Sequence, residues 1–131
     1  MALSITAAVA QSLASALATA VGSAATIQIR SGSKPATPET TASGTLLCTV
    51  TISGSFTASG GSITAADPAS ASPAASGTAG YFRLLTSGGT AILDGTVTAT
   101  GGGGDMLLGS TTITTGVPVD LGVPTFTVPV A

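Results

Sequence analysis

The chain has 131 residues, which is the length of one domain with a modest hydrophobic core. Hydrophobic residues make up 44% of it but aromatic residues only 3%, so the apolar area per residue is small. Three basic and five acidic residues give a net charge of −2, and three scattered cations cannot neutralise a phosphate backbone. The composition therefore argues against a nucleic-acid partner and predicts a neutral exterior suited to lying against other protein.

The first segment, residues 4–21, carries no charge and is rich in alanine. Its larger apolar residues recur at every fourth position, which predicts an amphipathic α-helix with Ser4 as its N-cap and Gly22 as its stop. We expect the stripe formed by these residues to be an interface, although the same stripe could instead close the β-domain. Its members are Ile5, Val9, Leu13, Leu17 and Val21.

Two other interpretations of this segment have less support. A signal peptide would begin with basic residues, and no Lys or Arg precedes Arg30. A membrane span is disfavoured because Ser, Thr and Gln interrupt the segment and no charged flank would set its orientation. We therefore expect a docking or core helix and no membrane partner.

The rest of the chain has the pattern of short β-strands separated by turns. Two prolines place residues 31–44 in a loop, and residues 67–77 are expected to form a second loop. One helix followed by these strands predicts a mainly β fold: a single β-sandwich domain over residues 1–131, jelly-roll-like, with one N-terminal α-helix. The predicted strands lie at 25–30, 45–52, 62–65, 81–85, 91–93, 106–108, 111–114 and 123–130, the last being an edge strand because of Pro124 and Pro129.

The clearest local signal is a hairpin within residues 77–100, with its turn at residues 87–89. Its two strands hold bulky apolar side chains in a chain that otherwise offers mostly small ones, so we expect the core to form around it. Arg83 lies within the first of these strands. We expect it to form a structural ion pair with Asp94 across the hairpin.

Few residues indicate chemistry. The chain has no histidine, which removes the commonest means of activating a nucleophile or binding a metal. Cys48 lies in an alternating apolar run, which predicts a buried, inert thiol. If two carboxylates formed a catalytic or calcium site, Asp94 with Asp105 would be the first pair to test. The glycines at 101–104 lack the Lys and Ser or Thr of a phosphate loop and are expected to form a flexible connection. We expect no enzyme activity, no catalytic residue, no metal site and no cofactor.

The order of these features resembles a known family. The shared features are an alanine-rich N-terminal helix, the strands ATIQIRSG and TLLCTVTIS, the hairpin GTAGYFRLLTSGGTAILDGTVT, and a closing strand rich in Thr, Val and Pro. Together they resemble the capsid cementing or decoration proteins of tailed phages. The resemblance implies a jelly-roll-like fold, a homodimer or homotrimer on the outer capsid surface of the virion, and a purely stabilising role against the major capsid protein.

Two alternatives stay open. The same composition would serve a phage neck, tail or fibre component. From a different class, an extracellular carbohydrate- or ice-binding β-module is suggested by three Thr-x-Thr spacings, because threonines at alternate positions of a strand share a face. These spacings lie at residues 49–51, 96–98 and 125–127.

Overall fold

A computed structural model of the chain describes residues 5–65, 70–121 and 125–127. Within these ranges it contains one helix and nine strands, so the prediction of a mainly β chain with one N-terminal helix is confirmed. The predicted cap Ser4, part of the loop at 67–77, and both prolines of the last strand lie outside the described residues. The elements are α1 (Ala7–Val21), β1 (Thr26–Ser31), β2 (Leu46–Thr51), β3 (Thr57–Ser59), β4 (Ser62–Thr64), β5 (Gly77–Leu85), β6 (Ala91–Ala99), β7 (Met106–Leu108), β8 (Thr112–Ile113) and β9 (Thr125–Thr127).

The helix begins later than predicted. Thr6 is the N-cap, because it adopts an extended conformation and its side-chain oxygen accepts a hydrogen bond of 3.2 Å from the N–H of Val9. The predicted start at residue 4 is therefore too early. The predicted end is confirmed: Gly22 has a φ of 71°, and its N–H donates to the carbonyl of Ala18 at 3.1 Å.

The larger sheet has the strand order β2-β1-β5-β6-β7, and β8 pairs with β5 outside that path. Its pairs are antiparallel except for β6 with β7. Strands β5 and β6 form the predicted hairpin, in which Arg83 lies opposite Asp94 and Leu84 lies opposite Leu93. Strand β5 lies between β1 and β6, and residues 81–85 are all buried. The hairpin is therefore at the centre of the core, as expected.

The smaller sheet has the order β3-β4-β9 and packs against the larger one. Aromatic rings make the contact: Phe126 of β9 stacks on Phe82 of β5 with ring centroids 5.2 Å apart, and Phe56 lies 6.0 Å from Phe126. Both sheets contribute to one hydrophobic cluster, which confirms the β-sandwich. The described strands divide six and three between the sheets, whereas a full jelly roll has eight strands in two sheets.

Helix α1 packs on β3 and β4. Ala10 lies so close to Gly61 that a Cβ at position 61 would be 3.2 Å from the Cβ of Ala10. The Nε2 of Gln11 donates a hydrogen bond of 3.3 Å to the carbonyl of Ala58, and Ala14 is fully buried. Small side chains thus allow a close approach, and the helix is an integral part of the sandwich.

The proline-containing loop, residues 32–45, covers the outer face of β5. Tyr81 alternates with the inward-facing Phe82 and so points outward, yet it is fully buried. Its hydroxyl donates to the carbonyl of Ser43 at 2.7 Å and accepts from the N–H of Ser43 at 3.0 Å. Only glycine fits at Gly44, which has a φ of 68° and where a Cβ would overlap a backbone oxygen of the facing strand. This loop is held in place by a specific side chain.

The glycine run at 101–104, expected to be a flexible connection between strands, forms a loop that packs closely at two of its four residues. It joins β6 to β7, which are parallel neighbours, although parallel strands usually need a much longer crossover. A Cβ at Gly102 would lie 2.7 Å from the Cβ of Thr98, and one at Gly104 would lie 2.9 Å from its Cγ2. The N–H of Gly104 also donates to the hydroxyl of Thr98 at 3.0 Å. Gly102 and Gly104 are needed because the loop folds back against Thr98 at these two positions.

Candidate functional site

The predicted helix stripe divides between surface and core. Val21 is 1% exposed and Leu17 packs against the core, whereas Ile5, Val9 and Leu13 are 38%, 45% and 45% exposed. Helical geometry explains the division, because a step of four residues overshoots one turn by about 40° and the three steps from Val9 to Val21 turn the stripe by about 120°. Ile5 precedes the helix. The C-terminal half of the stripe closes the sandwich, and the N-terminal half faces solvent.

The solvent-facing side of the helix is uncharged, and it carries an apolar stripe beside the exposed hydroxyl residues Ser12, Ser15 and Thr19. Since α1 contains no charged residue, this side lacks the surface charges that usually oppose association between proteins. No helix in the described ranges has the length and apolarity needed to cross a membrane. An exposed apolar strip of this kind is typical of a protein contact. We call it the exposed stripe, and its members are Val9, Leu13, Ala16 and Ala20 of the helix together with Ile5, which precedes the N-cap.

An apolar groove lies beside the exposed stripe, between α1, β6 and β9. Its volume of about 620 Å³ is within the range of protein binding pockets. The stacked rings of Phe82 and Phe126 lie at its floor but are only 0% and 9% exposed. Leu13 and Leu17 line it from the helix, and Leu93 lines it from β6. We call it the α1–β6 groove; Leu13 belongs both to it and to the exposed stripe.

Two strands present their edges to this groove. Three consecutive residues line it from β6 (93–95) and three from β9 (Thr125–Thr127). Successive side chains of a strand point to opposite faces, so three in a row line one groove only along the edge of the strand. Among the described strands, β7 pairs with β6 only at residues 97–99, and β9 pairs only with β4. Within the described residues, backbone groups on both edges therefore have no strand partner and are available for hydrogen bonds.

The structure brings Arg83 and Asp94 together in the predicted way. The guanidinium donates bonds of 2.7 and 2.8 Å to the two carboxylate oxygens, and the two side chains are only 6% and 2% exposed. The hydrogen bonds to Asp94 raise the pKa of Arg83 further above its already high ordinary value, although burial opposes this shift. The two charges neutralise each other, so this pair supports the fold and offers no free charge to a substrate.

Asp94 and Asp105 both line the α1–β6 groove, but they have different partners. Asp94 is bound to Arg83, whereas the Oδ2 of Asp105 accepts hydrogen bonds from the N–H and the hydroxyl of Thr96 at 2.9 and 3.1 Å. In the part of the chain that the structure describes, no group of three or more His, Cys, Asp or Glu side chains is arranged to hold a metal ion. The two carboxylates serve separate structural contacts.

Cys48 is fully buried in the core. Burial raises the pKa of its thiol, and a hydrogen bond with the backbone of Thr49 offsets part of that rise. Its sulfur lies 3.9 Å from the carbonyl oxygen of Ala71. A neutral thiol without solvent access is a poor nucleophile, as the sequence pattern predicts.

The three Thr-x-Thr spacings have different surroundings. Thr49 and Thr51 are exposed on β2. The hydroxyl of Thr96 instead hydrogen-bonds with Asp105, and the hydroxyl of Thr98 accepts from the N–H of Gly104, so both hydroxyls already have partners. Only the spacing in β9 belongs to a larger array of hydroxyl groups.

This array, which we call the hydroxyl face, was missed by the sequence analysis. The pairing of β3, β4 and β9 aligns two rows of three hydroxyl side chains on one side of the smaller sheet. Within these rows, Ser62 and Thr127 hydrogen-bond at 3.0 Å, and Thr64 and Thr125 at 3.3 Å. The only sequence signal was an alternation of Ser and Thr in three separate short segments. The rows are Thr57, Thr64 and Thr125, and Ser59, Ser62 and Thr127.

No protein-family model, no curated protein and no solved structure matches this chain. The two main features of the candidate site are the exposed stripe and the adjoining α1–β6 groove, both of which are suited to contact with other protein.

Proposed function

We propose that this chain is a structural virion protein that cements or decorates the outer surface of a phage capsid and stabilises contacts between major capsid subunits. The observation that carries the proposal is the exposed stripe on an uncharged helix of a charge-poor β-sandwich. Covering such a surface with protein lowers the free energy, because apolar side chains are removed from water. The order of sequence features that resembles capsid cementing proteins supports the choice of partner.

The physical basis of cementing is binding to the assembled shell but not to free subunits. Each apolar Å² removed from water contributes about 25 cal/mol, and binding to one state shifts the equilibrium towards that state by mass action. Since a capsid repeats each contact many times, a modest gain per site stabilises the whole shell. A homodimer or homotrimer would span adjacent capsid subunits and multiply the gain.

The experiment compares two apolar residues of nearly equal exposure. Val9 on the exposed stripe is 45% exposed, and Leu107 on β7 is 46% exposed, so Val9→Lys and Leu107→Lys make matched changes of charge. Each protein is mixed with empty capsids of its own phage and followed by size-exclusion chromatography with light scattering. Wild type and Leu107→Lys should co-elute saturably with capsids, whereas Val9→Lys should bind about tenfold more weakly or worse. Equal binding by the two variants, or no binding by wild type, contradicts the proposal.

A phage neck, tail or fibre component could use the same stripe. The same chromatography with purified tails in place of capsids separates this alternative from the first. Saturable binding to tails, with no binding to capsids, would assign the protein to the tail.

A second candidate function is favoured by the hydroxyl face. Two aligned rows of hydroxyl groups suit a carbohydrate- or ice-binding module, because each group can donate and accept hydrogen bonds. Ice recrystallisation and polysaccharide pull-down assays test it directly. Thr125→Val should abolish either activity, and Thr49→Val, an exposed threonine of the other sheet, should leave it unchanged.

A further inference from the structure

We infer that the α1–β6 groove binds an extended segment of another protein as an added β-strand, with apolar side chains at alternate positions and one basic side chain. The inference goes beyond the proposed capsid role and does not depend on it. Three observations carry it: the open edges that flank the groove, the apolar floor, and the charge at its rim.

The open edge of β6 supplies the backbone contacts. The N–H of Thr96 points to the β7 side of β6, because it donates to Asp105, the residue just before β7. Backbone groups alternate between the two sides of a strand, so the N–H and C=O of Asp94 point to the same side. No described strand pairs with β6 there, since β7 reaches only residues 97–99. An extended peptide could therefore pair with β6 at Asp94, in the manner of strand addition to a sheet edge.

The floor of the groove selects apolar side chains. A strand laid along β6 directs every second side chain inward, against Leu13 and Leu17 of the helix and Leu93 of β6, which keep exposed surface. Leu13 is 45% exposed, so its remaining surface is available to be covered. The side chains between these would face outward and could be polar.

The charge at the rim favours a basic residue in the segment. Of the two carboxylates that line the groove, Asp94 is neutralised by Arg83. Asp105 is exposed, and no described cation lies within ion-pair distance of it. No lining residue is basic. A Lys or Arg of the partner would meet an unopposed negative charge, whereas an acidic residue would be repelled.

A synthetic peptide tests the inference on the full-length protein. The probe is the capped peptide Thr-Val-Thr-Val-Lys-Val-Thr-Val, titrated into ¹⁵N-labelled protein and followed by amide chemical shifts. We expect saturable shifts at residues 93–95 and Thr125–Thr127, and slower amide exchange at Asp94. A peptide with proline in place of its third residue loses a backbone donor and should bind much more weakly.

Two protein variants separate the apolar and ionic contributions. Leu13→Gln should weaken binding by about fivefold, and Leu107→Gln, at an equally exposed leucine outside the groove, should leave it unchanged. Asp105→Asn keeps an acceptor for Thr96 but removes the charge, and should weaken binding by about twofold to fivefold. For Asp105→Asn, the peptide with Glu in place of Lys should bind as well as the original.

Three outcomes overturn the inference. The first is the absence of saturable shifts, and the second is shifts that map away from the groove. The third is concentration-dependent shifts at the groove residues in the protein alone, which would make a second copy of this chain the occupant.

Failure of the peptide to bind while Val9→Lys still abolishes capsid binding would reject the groove alone. The reverse result would reject the capsid role alone.

Discussion

Arg83 and Asp94 face each other across the β5–β6 hairpin, and the guanidinium of Arg83 donates to both carboxylate oxygens of Asp94. Both side chains are almost completely buried, so the attraction between their charges offsets the free-energy cost of taking each charge out of water. Every buried side-chain nitrogen or oxygen in the described ranges has a hydrogen-bond partner. A change to one member of this pair therefore leaves an unpaired charge in the sheet.

Arg83→Ala should lower the free energy of unfolding by about 3–5 kcal/mol, because it leaves the carboxylate of Asp94 buried without a counter-ion. Urea denaturation measures this loss. The double variant Arg83→Met with Asp94→Leu fills the space with apolar groups and should recover most of the stability. An unchanged melting temperature for Arg83→Ala would show that the pair does not support the fold.

Gly95→Ala should destabilise the protein by about 1–3 kcal/mol, because the new methyl would lie 2.6 Å from Cζ of Phe82. The displaced ring would also disturb its stacking on Phe126 in the floor of the groove. Gly88→Ala in the hairpin turn is the control, since its closest neighbour would be 3.8 Å away. Thermal unfolding of the two variants checks the difference, and equal stabilities would contradict the packing at Gly95.

Tyr81→Phe should cost about 1–2 kcal/mol, because the N–H and C=O of Ser43 both lose their partner. The loop over β5 should then open more often. Hydrogen exchange at the amide of Ser43 and cleavage at the exposed Glu39 by a Glu-specific protease report that opening. If both rates match those of the wild type, the hydroxyl does not hold the loop.

The buried thiol of Cys48 should make the free energy of unfolding vary with pH in the alkaline range. Its folded pKa is raised above the ordinary value of 9.0 by burial, so the unfolded chain releases the thiol proton first as the pH rises. The associated stability is complete below the unfolded pKa and is lost as the pH rises through the folded pKa. Denaturation between about pH 8 and 10 should show the advantage of wild type over Cys48→Ala shrinking with pH. A constant difference would indicate a thiol with an unshifted pKa.

Several elements could be predicted from the sequence because their causes are local. The turn at residues 87–89 and the bulky residues on either side predict a hairpin, and β5 and β6 form it. The pairing of Arg83 with Asp94 follows from the same signal, since the turn of a hairpin sets the register of its strands. Gly22 ends α1 because the positive φ it adopts is a property of that residue.

The exposed side of the helix could not be predicted in the same way. Val9 and Val21 are equal members of the predicted apolar stripe, yet Val9 is exposed and Val21 is buried. A period of four does not match the 3.6 residues of a helical turn, so the stripe has no single face. Contact with β3 and β4 decides which of its residues enter the core.

The sequence by itself determined the scarcity of charge, the helix, the central hairpin and the inert cysteine, because composition and short-range spacing specify each of them. Only the tertiary structure decided the groove and the hydroxyl face. The floor of the groove joins Phe82 and Phe126 from different sheets, and the hydroxyl face joins Thr64 to Thr125 across 61 residues. Such pairings depend on which strand edges meet, and the alternation within a short strand specifies its two faces but not its neighbours.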